Sequence, residues 1–233
     1  RSFGPVGETF RCSEGERPHE GAIINSDEAA RIRTTNIEAP STSYQLSLIM
    51  TRKNVFLTGA NVGQSNLLAK SLVQRGWGVF AGVLPGVPTD LVHEAGVTVV
   101  EQDVSNAESV TKSAEKVREA LDGQGLHLLM NIAGVANVAV GVIEGIDLKQ
   151  MERLFHINTF GMVRVIQAFL PLLRKNAPGS RIANYSSGAI LSNPVGAGAY
   201  NMTKYAIHGL TMTLRHELAP FGMQVTSIVP GGV

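Results

Sequence analysis

Tyr200 and Lys204 stand four apart in the run YNMTK, and Ser187 of NYSSGA lies thirteen residues before the tyrosine. Residues four apart on a helix share one face about a turn apart, so a phenol and an ammonium become neighbours. An unperturbed tyrosine has a pKa near ~10, too high for an efficient base at neutral pH, and a nearby positive charge favours its phenolate. Such a tyrosine can exchange a proton with a hydroxyl or carbonyl oxygen while a serine hydroxyl hydrogen-bonds the same atom. That is equipment for reversible alcohol–carbonyl chemistry by hydride transfer, with the hydride carried by a cofactor. A tyrosine and lysine at this spacing are by chance more often a surface pair. Their meaning depends on what the chain positions around them.

The elements that must do the positioning are legible from residue 53 onward. Apolar runs at 54–58, 78–84, 97–102, 126–134, 181–187 and 223–229 predict six strands. Between them, helical spacing predicts helices over 64–76, 106–121, 147–173 and 199–219, the first with Leu67, Leu68, Leu72 and Val73 on one face. Pro171 is expected to bend the third of these or begin its end. Continuous apolar strands alternating with helices imply a parallel sheet covered on both faces. Right-handed crossovers then give an α/β, doubly wound parallel sheet of Rossmann type, in a single domain.

The stretch TGANVGQS, residues 58–65, follows the first strand and opens the first helix. A pyrophosphate at that place would meet backbone N–H groups and a positive helix end. Gly59 allows the tight turn and Gly63 a close approach of phosphates. Ser65 occupies the position of a third glycine, where a small hydroxyl can satisfy an N–H of the helix start. The second strand ends at Val83, a neutral residue where an acidic side chain would hold the adenosine ribose of NAD. No arginine or lysine lies there, or between Gly59 and Gly63, to hold a 2′-phosphate, so NAD is favoured over NADP. Asp103, after the third strand, either faces the adenine or serves as a strand-end or helix-cap aspartate.

Composition sets the remaining bounds. A net charge of +1 gives no basic field, so nucleic acid is not the expected partner. Cys12 is the only cysteine, which excludes an internal disulfide and favours a cytoplasmic, reducing location. No apolar run reaches the roughly 18–20 residues of a membrane span. His93, His127, His156, His208 and His216 have no metal-ligand spacing, and no metal site is expected. Residues 1–49 are polar and aperiodic, and SDEAARIR has the spacing of a short helix with Ser26 as its N-cap. They are read as a polar extension, expected to be disordered and without a catalytic part, and residues 50–233, beginning at Met50, are read as the dinucleotide-binding oxidoreductase domain.

Taken in order, TGANVG, NIAG at 131–134, Asn158 within FHINTFG, Ser187, Tyr200-x-x-x-Lys204 and the closing PGG at 230–232 resemble the short-chain dehydrogenase/reductase family. The resemblance runs from Lys53 to Val233. It implies Tyr200 as general acid/base, Ser187 polarising the substrate oxygen, Lys204 on the nicotinamide ribose, and Asn158 holding a water of the proton relay. It also implies a cofactor site formed by Thr58, Gly59, Asn61, Gly63, Gln64, Ser65, Val83, Asp103, Val104, Asn131, Ala133, Gly134, Tyr200, Lys204, Pro230 and Gly231, for NAD or NADP. The run SNLLAKSLVQRGWGVFAGVLPG resembles the retinol and hydroxysteroid dehydrogenase branch, which implies a small apolar alcohol or carbonyl substrate. Association through the third and fourth helices, as a homodimer or homotetramer, is implied as well.

Gln64, Ser65 and Ile132 depart from the family pattern and bear on cofactor affinity. Complete members continue beyond PGG with a nicotinamide-contacting threonine, a substrate lid and a final helix and strand, so this chain is expected to lack the last strand. The rival reading is a catalytically silent relative that binds a dinucleotide or a partner.

Overall fold

The computed structural model describes residues 52–231. The helix expected at Ser26, together with Cys12, Met50 and Gly232, lies outside them. Six strands form one parallel sheet: β1 Asn54–Leu57, β2 Gly78–Val83, β3 Val97–Glu101, β4 Leu128–Asn131, β5 Arg181–Tyr185 and β6 Gln224–Ile228. Their order is β3-β2-β1-β4-β5-β6, with β1 paired to β2 on one side and β4 on the other. All five pairings are parallel, because each crossover carries a helix or a helical turn. The reversal of strand order falls between β1 and β4, which puts the ligand crevice of such sheets beyond their C-terminal ends.

The helices are α1 Gly63–Gln74, α2 Ala107–Ala120, α3 Leu148–Phe155, α4 Gly161–Arg174, the one-turn α5 Ala189–Ser192 and α6 Gly198–Leu218. Alternation along β1 divides the core. Phe56 joins Leu129, Ile182 and Val225 against the apolar faces of α2, α4 and α6. Val55 and Leu57 join Val79, Ala81 and Met130 against Ala69 and Leu72 of α1. Phe56 stacks on Phe169 with ring centroids 4.2 Å apart, fixing α4 across the centre of the sheet.

Two details depart from the periodic reading. Leu67 is 67% exposed, while Leu68, Leu72 and Val73 of the expected face do meet the core and α1 also buries Ser65, Asn66 and Ala69. Asn66 is drawn inward because its amide donates to the carbonyls of Ala60 and Asn61 and to the Asp90 carboxylate. The helix expected over 147–173 is interrupted by a π-helical turn, His156–Phe160, that separates α3 from α4. Pro171 sits inside α4, which ends three residues later.

Candidate active site

The glycine loop is built from the backbone outward. Gly59 has φ +68°, and a Cβ there would lie 2.8 Å from Ala133 Cα, so only glycine lets β1 and β4 diverge this closely. Thr58 Oγ1 accepts the N–H groups of both Ile132 and Ala133 at 2.9 Å, locking the two strand ends together. Gly63 has φ +71° and open space where its Cβ would stand. The N-cap, Val62, gives no side-chain cap, and the first turn of α1 holds no acidic residue. The early N–H groups of α1 are thus left for an anion. Ser65 is buried, and its hydroxyl donates back to the Gly59 carbonyl, so it stitches the loop rather than capping an N–H.

Beside this loop runs a cleft of about 590 Å³, lined by Gly59, Asn61, Gln64, Ser65, Leu84, Asp103, Val104, Ala133 and Gly134 among others. Val83 is not on it. Buried at 5% exposure, it packs with the α1 side of the core, and Leu84 is the residue at the end of β2 that reaches the cleft. Asn61 borders the cleft, but its amide is occupied. Its oxygen accepts the Leu84 N–H at 2.7 Å and its nitrogen donates to the Leu84 and Val87 carbonyls. Asp103 lines the cleft while its carboxylate accepts both the N–H and the hydroxyl of Ser105, the strand-end turn foreseen as one of its two roles. Val104 is set by Gly161, where a Cβ would come within 3.0 Å of the Val104 carbonyl.

Arg153 and Ile157, four apart along α3 and the π turn, also line the cleft and were missed in the sequence. Their i, i+4 spacing immediately before Asn158 was the available signal. Asn131 lies behind the cleft. Its amide donates to Asn184 Oδ1 at 2.9 Å, and Asn184 donates on to Thr211, tying β4 and β5 to α6.

Past the Gly134 end of the cleft stand the titratable groups. Lys204 is 5% exposed, and its ammonium donates to the Tyr185 carbonyl at 3.1 Å and lies 5.5 Å from the centre of the Tyr200 ring. Burial lowers its pKa from 10.5 to about 8. Asn158 is fully buried in the π turn. It accepts the Val135 N–H and donates to the Val135 carbonyl, both at 2.9 Å, and donates to Thr203 Oγ1 at 3.2 Å. Gly134 lies between the two: a Cβ there would be 3.2 Å from Asn158 Oδ1 and 3.7 Å from Lys204 Nζ.

Ser186, buried, donates to the Lys204 carbonyl, which brings the end of β5 onto α6. Ser187 follows it, partly exposed, and its Oγ accepts the Ala189 N–H at 3.1 Å. The hydroxyl hydrogen of Ser187 is thereby left for another oxygen. Pro230 accepts the Gly188 N–H through its carbonyl, while Gly231 is exposed and does not border the cleft. Tyr200, like Val135, Val138, Ile146 and Met151, packs against the buried cluster of Ala139, Leu154 and Ala199. An isolated parallel bridge, Gly141 to Ala197, fixes the loop after β4 three residues before Tyr200. That bridge is flanked by the exposed side chains of Val140, Val142 and Val195. Among the described residues no helix is long and apolar enough to cross a membrane.

The profile of the short chain dehydrogenase family matches residues 53–233. The chain is 36% identical over 197 residues to mouse estradiol 17-beta-dehydrogenase 2, covering 82% of this chain and 51% of that one. It is 34% identical over 182 residues to mouse retinol dehydrogenase 5, covering 76% and 55%. Among solved structures, a short chain dehydrogenase from Burkholderia cenocepacia in complex with NADP is similar, with a TM-score of 0.68 and 29% identity over 78% of this chain and 73% of that one. The chain spans about half the length of the curated relatives it matches.

Proposed function

This chain belongs to the short-chain dehydrogenase family, and on that premise we propose that it interconverts an apolar alcohol and its ketone or aldehyde, using a nicotinamide dinucleotide. The observation that carries the reading is the buried Lys204 ammonium beside the Tyr200 ring, at the end of a dinucleotide-sized cleft. A structural lysine is seldom held this deep without a carboxylate.

A bound nicotinamide dinucleotide supplies the hydride acceptor or donor. The chain supplies the rest. The N–H groups of α1 and the open Gly63 would hold the pyrophosphate, and Leu84, Asp103 and Val104 would enclose the adenosine. Lys204 would donate to the nicotinamide ribose, and its charge beside the Tyr200 ring would stabilise the phenolate. In oxidation Tyr200 takes the hydroxyl proton as Ser187 donates a hydrogen bond to the same oxygen; in reduction Tyr200 returns that proton. Asn158, fixed through Val135 and Thr203, orders the water behind Lys204 through which the proton reaches solvent. NAD is favoured over NADP, because Leu84 and the fully engaged Asn61 offer no cation to a 2′-phosphate, and Arg153 enters the cleft from α3 rather than from the end of β2. Paired titrations with NADH and NADPH, read by energy transfer from Trp77, check this; tighter NADPH would reverse the assignment.

The relatives named for estradiol and retinol, with the apolar rim of Val140, Val142 and Val195, support a hydrophobic secondary or primary alcohol as substrate. Tyr200→Phe should abolish turnover of estradiol and retinol with NAD while NADH still binds. Turnover surviving in that variant would sink the assignment. NADH binding with no turnover in the wild type across a wider alcohol panel would favour a silent relative. Phe160, Met202 and Met212 leave exposed apolar surface on the π turn and α6, which supports a homodimer or homotetramer; a monomeric mass in sedimentation would contradict it. A cytoplasmic setting fits the single cysteine, and cell fractionation tests it.

A further inference from the structure

The catalytic lysine is followed directly by Tyr205, a residue that the proposed chemistry does not use. Its phenol leaves α6 and reaches back to the segment after β5, donating to the Ile190 carbonyl at 2.6 Å with Asn193 Oδ1 at 3.3 Å. Asn201, one residue after Tyr200, is buried, and its amide donates to the same Asn193 oxygen at 3.3 Å. Asn193 itself has φ +47°, the left-handed conformation that ends α5 and that asparagine tolerates better than most residues. Three side chains thus converge on a single helical turn.

That turn begins at the active-site serine. The Ala189 N–H, first in α5, donates to Ser187 Oγ, and this contact leaves the serine hydrogen free to point elsewhere. The N-terminal side of the turn is anchored by Ser186 on the Lys204 carbonyl and by the Gly188 N–H on the Pro230 carbonyl, whereas its C-terminal side has little packing. Ile190 is its only buried residue, and Leu191 beyond it is 78% exposed. A one-turn helix is marginal by itself even with its backbone bonds formed, so its C-terminal end depends on contacts from outside. We propose that Tyr205, Asn193 and Asn201 form a brace that positions Ser187 by anchoring α5 to the helix carrying Tyr200 and Lys204. The proton acceptor and the substrate-polarising hydroxyl are then referred to one rigid element, α6. The inference rests on the dehydrogenase reading of the site, but its structural part is testable without a substrate.

The test uses the whole chain and two variants that keep the backbone allowed. Tyr205→Phe removes only the hydroxyl, and Asn193→Gly removes the amide while permitting the left-handed φ. Amide hydrogen exchange is followed in peptides covering residues 187–193, and turnover of estradiol and retinol with NAD is followed in parallel. The brace predicts faster exchange confined to 187–193 in both variants. It also predicts kcat lowered about tenfold with the KM for NAD unchanged, since small misplacement of a reacting group costs at least that much. In a Ser187→Ala background Tyr205→Phe should cause no further loss, because its effect runs through the serine. Unchanged exchange in both variants would overturn the brace, and so would losses that multiply in the double variant. Faster exchange confined to 187–193 in the variants of a protein whose wild type turns over no alcohol in the wider panel would overturn the positioning role and leave the contact purely structural.

Discussion

Replacing Lys204 by methionine should make the cofactor-free protein more stable at neutral pH and nearly inactive. The ammonium is 5% exposed, and among the described residues its one acceptor is the Tyr185 carbonyl. Burial lowers its pKa from 10.5 to about 8. Between those values the unfolded chain binds more protons than the folded one, so stability rises with pH through that window. Above it the amine is neutral in both states and the penalty is gone. Below pH 8 it is charged in both and the penalty is fully present. At about 1.4 kcal/mol per pKa unit, the cost at pH 7 is about 3 kcal/mol. Methionine fills similar space without the charge but leaves the Tyr185 carbonyl without its donor, a loss of about 1 kcal/mol. The variant should gain about 2 kcal/mol at pH 7, or roughly 6 °C in Tm for a domain of this size.

The assay is thermal or urea unfolding of both proteins without cofactor, from pH 6.5 to 10. The advantage of Lys204→Met should be constant below pH 8, then shrink and reverse as pH approaches 10. Tyr185 complicates the upper end, because burial raises its phenol above 10. Its contribution is complete below pH 10 and is lost as pH rises through the raised value, but both proteins share it, so it cancels in the difference. Parallel curves across the whole range would refute the argument, since they would mean that the ammonium is solvated in the fold. A destabilised variant at pH 7 would refute it as well. The dehydrogenase reading predicts that such a cost is retained because the charge serves the tyrosine and the cofactor ribose.

Two further substitutions test the cofactor cleft. Gly59→Ala forces an alanine into φ +68° with its Cβ 2.8 Å from Ala133, so stability should fall by about 2 kcal/mol and NADH binding should be lost; an unchanged melting curve would refute it. Asn61→Asp keeps the acceptor for the Leu84 N–H but sets a carboxylate against the carbonyls of Leu84 and Val87. NADH affinity should drop about tenfold as that wall loosens, and an unaltered dissociation constant would show that the wall is held by other contacts.

How much of this was legible follows from the range of each signal. The six strands and their parallel pairing came from local apolar runs and their alternation with helices, and Tyr200 and Lys204 met on one face because four residues make about one turn. Signals that depend on a single residue of phase were lost. The sequence puts Val83 at the cleft, but neighbouring positions on a strand face opposite sides, and it is Leu84 that borders the cleft while Val83 packs in the core. The run 147–173 reads as unbroken helix, yet the π turn at His156–Phe160 inserts one residue and changes the phase at Asn158, in a way that composition does not announce. Contacts across long separations were invisible. Asn61 closes on carbonyls 23 and 26 residues away, and Tyr205 on one 15 residues before it. Ser65 shows the intermediate case. A small residue was required where α1 meets β1, and the sequence supplied one, but only the folded loop shows its hydroxyl returning to the Gly59 carbonyl rather than capping the helix. The groups that would touch cofactor or substrate are therefore largely readable as motifs. Those that hold them in place are asparagines and tyrosines whose partners exist only once the chain has closed, and in this protein Asn61, Asn193 and Tyr205 belong to that second kind.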